Sequence, residues 1–184
     1  MKDLSEYLEE VIKNSIEAGS DEISITVRYS EQKNVFRFIV EDNGCGMDKT
    51  LLKTAADKGI STKAIGHKGD SLFNLKTLVE SCNGIFVLSS HPNKYTRLEW
   101  TINADQTPIP LGDLADIIAK TIFNNLSIDI HFMYATQYST FVFFLPAMAY
   151  MYKLEKMSTM LDLRKLKKVL KSNILYSNEP IKLH

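Results

Sequence analysis

Apolar positions in the first 58 residues repeat first with the period of a helix and then with that of a strand. In residues 4–18 they recur at three- and four-residue steps, which predicts an amphipathic helix that Gly19 ends. Residues 23–29 alternate apolar and polar side chains, and a second apolar run covers 35–40. The polar residues between these runs predict a hairpin.

The remainder of the chain continues this mixture of helical and extended patterns. The same periodicities predict helices over 49–58, 70–82 and 113–126, and strands over 85–90, 97–102, 128–134 and 140–145. A glycine-containing loop is expected over 59–69. Strands interspersed with helices favour a two-layer α/β sandwich, in which helices cover one face of a mixed β-sheet.

Charge divides the chain near Pro146. The 184 residues hold 22 basic and 22 acidic side chains, but residues 146–184 hold 8 basic and 3 acidic ones. This asymmetry predicts a domain over 1–146 followed by a basic helical tail over 147–184, helical mainly at 147–172 with a break near 158–159. The balanced total gives no overall signal for nucleic acid, which stays possible but is not indicated.

Composition also bears on compartment and class. The hydrophobic fraction is 45% and the charged fraction 24%, as in ordinary globular proteins. Cys45 and Cys82 lie far apart, without the spacing of a zinc site or a disulfide framework. Neither a secretory leader nor a membrane-spanning run is visible, so a cytoplasmic protein without membrane attachment is expected.

The first helix carries a carboxylate and an amide on one face. Glu10 and Asn14 are four residues apart, the spacing at which helical side chains are neighbours. Such a pair can polarise a water molecule and bind a hard cation. A solvated helix surface is the ordinary explanation for an isolated pair, so this observation needs support from elsewhere in the chain.

Two glycine-containing turns provide candidate ligand contacts. The segment Asp42-Asn43-Gly44-Cys45-Gly46-Met47 follows a predicted buried strand, where Asp42 can accept a hydrogen bond from an amine and the glycines let a ligand approach the backbone. The second segment, residues 61–70, places Gly66 and Gly69 before a predicted helix, as in a phosphate-binding loop. An ordinary tight turn and a solvated loop are the alternatives.

These segments, with Ser139-Thr140-Phe141 at the start of the last strand, resemble in order and spacing the N, first-glycine and second-glycine boxes and the terminal strand of the GHKL ATPases. That superfamily includes gyrase, heat-shock chaperone, histidine-kinase and MutL-type domains. The resemblance covers about residues 4–146 and implies the Bergerat α/β sandwich fold. The stretch from Asn14 to Gly19 looks most like MutL-type or microrchidia-type members, whereas the last strand looks more like a histidine kinase.

The resemblance also implies ligands and roles. ATP and Mg²⁺ are the implied cofactors, with Glu10 as the general base that activates water and Asn14 as the metal ligand. Asp42 would accept a hydrogen bond from the adenine amino group. The other residues implied to bind the nucleotide are Ala18, Gly44, Gly46, Met47, Lys63, Gly66, His67, Lys68, Gly69 and Thr140.

Three functions follow from this resemblance. The first is an ATP-hydrolysing switch that changes its association with a protein partner or a second copy. The second is a protein kinase domain of the histidine-kinase or anti-sigma type, which passes the γ-phosphate to a partner. The third is a nucleotide-binding module without catalysis. The Glu10/Asn14 pair favours the first.

Overall fold

A computed structural model describes residues 1–58, 71–144 and 159–176. The helices in this part of the chain are α1 (Leu4–Glu17), α2 (Lys49–Lys58), α3 (Ser71–Ser81), α4 (Leu114–Asn124) and α5 (Met160–Tyr176). The strands are β1 (Glu22–Ser30), β2 (Val35–Asp42), β3 (Phe86–His91), β4 (Tyr95–Asn103), β5 (Asp129–Ala135) and β6 (Thr140–Phe144). The predicted elements are confirmed within about two residues at each end, except in the tail.

The strands form one mixed sheet in the order β3-β4-β2-β1-β5-β6. Strands β1 and β5 run parallel, and every other neighbouring pair is antiparallel. The parallel pair is joined through other strands and α4, as a parallel neighbour requires a crossover connection. The predicted α/β sandwich with a mixed sheet is therefore confirmed.

Alternation along the strands explains why one face of the sheet is buried. Ile23, Ile25 and Val27 of β1 are fully buried, while the residues between them face outward. On β2 and β4, Phe38 and Trp100 face each other in register and stack with ring centroids 4.9 Å apart. Helix α1 packs its apolar stripe against this face, because Leu4, Leu8, Val11 and Ile12 recur at helical spacing.

The tail differs from its prediction. Helix α5 begins at Met160 and continues past the expected end at residue 172 to Tyr176. Thr159 marks its start: the Thr159 hydroxyl and amide pair with the Asp162 carboxylate, and the Asp162 amide is 3.3 Å from the hydroxyl. Residues 147–158 of the predicted tail helix lie outside the described part of the chain.

Helix α5 packs against α4. Its buried residues Leu166, Leu170 and Ile174 join the same core as Ile118 and Ile122 of α4. At the edge of this contact Lys167 Nζ lies 2.8 Å from Asp116 and 3.4 Å from Asp113. The described part of the basic tail is thus docked on an acidic end of α4.

Candidate nucleotide site

The end of β2 holds a buried carboxylate. Asp42 is 6% exposed and lies at the last position of the strand, between Ile23 of β1 and Thr96 of β4. Ser15 of α1 donates a hydrogen bond of 2.6 Å to Asp42 Oδ2. Ser20 Oγ lies 3.1 Å from Oδ1, and the Gly44 amide donates to Oδ1 at 3.0 Å. A buried carboxylate needs such partners, so this environment fixes its orientation.

The turn after β2 is attached to the end of α1. The Cys45 amide donates to the Ala18 carbonyl at 3.0 Å. Asn43 Oδ1 accepts hydrogen bonds of 3.1 Å from the amides of Asp21 and Glu22. A Cβ at Gly44 would lie 2.7 Å from Ser20 Oγ and 2.8 Å from the Ala18 Cβ, so only glycine fits there. These contacts hold Asp42 beside the last turn of α1.

The same turn is attached on its other side to the β3–β4 hairpin. Gly46 adopts φ +61°, and a Cβ there would collide with the His91 carbonyl. The Asn93 amide donates to the Cys45 carbonyl at 2.7 Å, and the Met47 amide donates to Ser90 Oγ at 2.8 Å. The turn therefore lies in a defined position between α1 and the hairpin.

Glu10 and Asn14 lie on the solvent side of α1. Asn14 is exposed, and its neighbour Ser15 is the residue that contacts Asp42. The Glu10 side chain is 37% exposed and pairs with Lys13 at 3.1 Å. The hydrogen bond from Lys13 to Glu10 raises the pKa of Lys13 above its ordinary value. The helix thus carries a carboxylate and an amide one turn apart on its solvent side, while Ser15 on its buried side contacts Asp42.

Six predicted site residues belong to this cluster: Asn14, Ala18, Asp42, Gly44, Gly46 and Met47. Glu10 lies one helical turn before Asn14. The predicted phosphate contacts, Lys63, Gly66, His67, Lys68 and Gly69, lie outside the described residues. Among the described residues, no group of three or more His, Cys, Asp and Glu side chains forms a metal cluster. Mg²⁺ commonly keeps waters and substrate phosphates as ligands, so a single amide oxygen on the protein fits its chemistry.

Thr140 requires a correction. It pairs with Ala135, which is level with Arg28 of β1, whereas Asp42 is level with Ile23. At about 3.3 Å per residue, this five-residue offset separates the two positions by roughly 16 Å along the sheet. Side chains alternate between the two faces of a strand, and Thr140 is three residues before the buried Phe143. Thr140 therefore points to the outer face of the sheet, where it is exposed. The sequence motif at β6 therefore does not contribute to the Asp42 site.

Thr96 occupies the position that the prediction gave to Thr140. It is the direct cross-strand partner of Asp42, on the same face of the sheet. Its Oγ1 lies 3.0 Å from Ser90 Oγ, which also accepts the Met47 amide. Sequence reasoning also missed Ser15 and Ser20. The hairpin pattern of β3 and β4 is the sequence signal that points to Thr96. If β4 runs antiparallel to β2, its first residues lie beside Asp42 at the end of β2.

Comparisons with known proteins identify the family of this domain. Residues 2–106 match the family described as histidine kinase-, DNA gyrase B- and HSP90-like ATPases. The chain therefore belongs to this family, and the GHKL superfamily resemblance is confirmed. The match ends just after β4, so β6 lies beyond it. This family is one of ATP-binding domains, and membership supports ATP binding by this chain.

Curated relatives include two bacterial sensor proteins. The sensor protein DegM of Bacillus sp. (strain B21-2) is 29% identical over 87 residues, or 47% of this chain and 23% of that protein. A probable C4-dicarboxylate sensor kinase of Bacillus subtilis (strain 168) is 26% identical over 77 residues, or 42% of this chain and 14% of that protein. The matched region is thus less than a quarter of either relative.

A solved structure shows the same fold. The N-terminal domain of a DNA repair protein superposes with a TM-score of 0.52 at 16% identity, covering 76% of this chain and 51% of that one. Separately, no helix in the described ranges is long and apolar enough to cross a membrane.

Proposed function

We propose that the chain binds Mg-ATP and hydrolyses it as a conformational switch that alters its association with a protein partner or a second copy. The observation that carries this proposal is the buried Asp42 carboxylate, fixed between α1 and the turn at Gly44 and Gly46. Family membership supports it independently. ATP is abundant in the cytoplasm, which is where we expect the protein to act.

The base of the nucleotide is assigned to the Asp42 end of β2. A carboxylate that is almost fully buried and accepts hydrogen bonds is suited to an exocyclic amine. Ala18 and Met47 provide apolar surface beside it, and Gly44 and Gly46 let the turn pack closely against α1 and the β3–β4 hairpin. We replace Thr140 with Thr96 in this assignment, because Thr96 faces Asp42 across the strands.

The metal and the attacking water are assigned to α1. Asn14 would supply one oxygen ligand to Mg²⁺, and the phosphates and waters would supply the others. Glu10 would accept a proton from the water that attacks the γ-phosphorus, with ADP as the leaving group. The Glu10–Lys13 pair must open for this step, which costs little because exposed ion pairs contribute about 0–1 kcal/mol.

Hydrolysis by the full chain tests this assignment. We expect Glu10→Ala to abolish release of phosphate while Mg-ATP still raises the unfolding midpoint. A ligand at a hundredfold excess over its Kd adds about 2.7 kcal/mol of stability. Glu9→Ala is the matched control, because Glu9 lies on the same helix one position away from the motif. Unchanged turnover in Glu10→Ala would refute the role of Glu10.

A second candidate function is transfer of the γ-phosphate to a partner protein. The curated relatives, a sensor protein and a probable sensor kinase, favour it. ATP labelled at the γ-phosphate distinguishes the two functions when the chain is incubated with candidate partners. Label on a partner supports a kinase, and label found only as free phosphate supports the switch.

A further inference from the structure

Helix α5 turns a basic stripe to the solvent. Arg164, Lys168 and Lys171 are exposed and recur at four- and three-residue steps, so they share one face of the helix. Within the described residues none of the three forms an ion pair, whereas Lys167 is paired with α4. The three cations border a groove of about 430 Å³ on this helix, together with Lys167 and Ser172. The groove is therefore suited to anionic side chains.

Helix α1 turns an acidic stripe to the solvent. Glu6, Glu10 and Glu17 are spaced by four and seven residues, which places them on the face opposite the apolar residues that pack on the sheet. Lys13 lies on the same face and offsets one of these charges through its pair with Glu10. The stripe stays negative, because it holds three carboxylates and one ammonium group.

The two stripes lie on either side of α4. Helix α4 packs against both α1 and α5, and seven of its residues are buried. Its solvent ridge carries Asp116 and Lys120, whose ion pair of 2.7 Å leaves little net charge there. Neighbouring helices lie about 8–10 Å apart, so two such spacings separate the stripes. They are thus too far apart to neutralise each other within one chain.

We propose that a second copy of this chain docks on this helix layer, with the basic stripe of each copy on the acidic stripe of the other. A twofold axis that runs along α4, between the two copies, exchanges the positions of α1 and α5. The two contacts are then identical, and each joins opposite charges. A copy turned so that α1 meets α1 would join like charges, which is unfavourable. Charge therefore selects this arrangement.

A second copy fits this surface better than a nucleic acid does. Phosphates would be attracted to the basic stripe but repelled by the acidic stripe on the same face. A protein with one uniform charge would meet the same conflict. The complementary surface that satisfies both stripes at once is the helix layer of the chain itself.

The contact would cover the solvent side of α1. Glu10 and Asn14 lie on that side, where the proposed function assigns the attacking water and Mg²⁺. The docking does not depend on that assignment, but its consequence rests on it. The second copy's basic stripe and Mg-ATP would compete for the same surface, so nucleotide should separate the two copies. A second copy is then the partner on which the proposed switch acts.

Sedimentation velocity of the full chain without nucleotide measures the association. We expect a dimer with a Kd of about 100 μM or tighter. This Kd should rise roughly tenfold or more between about 50 mM and about 500 mM NaCl, because salt screens exposed charges. The α5 variant, Arg164→Glu with Lys168→Glu, should be monomeric. Lys33→Glu with Lys94→Glu is the matched control, because it makes the same charge change at exposed positions in two hairpin turns, and it should dimerise normally.

Reversal of both stripes in one chain is the sharpest form of the test. The α1 variant, Glu6→Lys with Glu17→Lys, should be monomeric because two basic stripes then meet. When these changes are combined with Arg164→Glu and Lys168→Glu, opposite charges face each other again and the dimer should return. The net charge of this combined variant equals that of the unchanged chain, so its recovery reports the pairing of the stripes. Circular dichroism reports folding, and if the α1 changes prevent folding, the α5 variant and its control decide.

The results that would count against the account are distinct. An unchanged chain that stays monomeric, or an α5 variant that dimerises as well as its control, would overturn the docking and leave the proposed function intact. A monomer that binds a short DNA duplex through Arg164 and Lys168 would assign the basic stripe to nucleic acid instead. A dimer that persists while Mg-ATP is bound would overturn the contact over Glu10 and Asn14. Failure of the unchanged chain to bind Mg-ATP would remove the proposed function and leave the docking in place.

Discussion

Ser15 Oγ donates a hydrogen bond of 2.6 Å to Asp42 Oδ2, and this bond connects helix α1 to the end of strand β2. Ser15 follows Asn14 on α1, and Asp42 ends β2. The exposed face of α1 carries Glu10 and Asn14, while its buried face holds the aspartate in place. One helix therefore carries the residues proposed to bind the metal and activate the water, and it also orients the aspartate proposed to bind adenine.

Loss of this hydrogen bond should lower stability. Ser15→Ala leaves Oδ2 of a buried carboxylate without its closest donor, which we expect to cost about 1–3 kcal/mol in the free energy of unfolding. Urea denaturation measures the change. Ser172→Ala is the control, because its hydroxyl is exposed on α5 and bonds the local Val169 carbonyl. Equal stability of the two variants would show that the Ser15 hydroxyl contributes little.

The turn at Gly46 should tolerate no side chain. Gly46→Ala combines a positive φ with a collision against the His91 carbonyl, so we expect a loss of about 2 kcal/mol or more together with weaker nucleotide binding. Gly19→Ala isolates the backbone effect, since Gly19 has φ +76° but, apart from its chain neighbours, no described residue has a heavy atom within 4 Å of the added carbon. It should cost about 1 kcal/mol. Thermal unfolding with and without ATP compares the two, and a Gly46 variant no worse than the Gly19 variant would contradict the packing argument.

Removal of Mg²⁺ should affect binding only when Asn14 is present. We expect EDTA to weaken ATP binding by the unchanged chain by roughly tenfold or more. In Asn14→Ala, the affinity for ATP should already be lower, and EDTA should change it little. The cause is the loss of an oxygen ligand from α1. Asn173→Ala is the control, as Asn173 bonds the Val169 carbonyl on α5. Equal sensitivity to EDTA in Asn14→Ala and the unchanged chain would exclude Asn14 as a ligand.

The contact between α5 and α4 should depend on pH. Burial acts to raise the pKa of Asp116, but hydrogen bonds from Lys120 and Lys167 outweigh it and hold the pKa below its ordinary value. A carboxylate with a lowered pKa stabilises the folded chain above the pKa of the unfolded state, and this stabilisation is lost as pH falls through the folded pKa. The contribution of Lys167 should therefore be complete at neutral pH, begin to decrease below about pH 4, and disappear only when the pH has fallen below the lowered pKa of Asp116 in the folded chain.

Lys167→Met measures this contribution while it retains most of the side-chain stem. Because Asp116 and Lys167 are 23% and 38% exposed, we expect a loss of only about 0.2–1 kcal/mol at pH 7 and a smaller loss at pH 3. Lys165→Met, at an exposed position on the same helix, should have a smaller effect at both pH values. A Lys167 effect that is the same at pH 7 and pH 3 would contradict the ion-pair explanation.

Local patterns in the sequence predicted most of the fold. The helical stripe of α1 and the alternation in β1 each depend on neighbouring residues, so they are readable without a structure. The clustering of Asn14, Ala18 and Asp42 followed from the first two of the four segments that carry the family resemblance, and both of these segments lie in the matched region.

Sheet order could not be read in the same way. The motif at Thr140 looks like a closing strand, but β6 lies at the far edge of the sheet beside β5, and β4 is the neighbour of β2. Which strand pairs with β2 depends on long-range packing, so the sequence pattern assigned the role to Thr140 where the register favours Thr96. Ser15 and Ser20 were missed for a related reason: a serine has no pattern of its own until its acceptor is placed beside it.

The most direct test of the central claim is calorimetric titration of Mg-ATP into the unchanged chain, Asp42→Ala and Asp105→Ala. Asp105 is an exposed aspartate whose contact with Asn34 is remote in sequence from the site. The account predicts saturable binding of one ATP by the unchanged chain and by Asp105→Ala, and its loss in Asp42→Ala. Equal binding by all three proteins, or no binding by the unchanged chain, would contradict it.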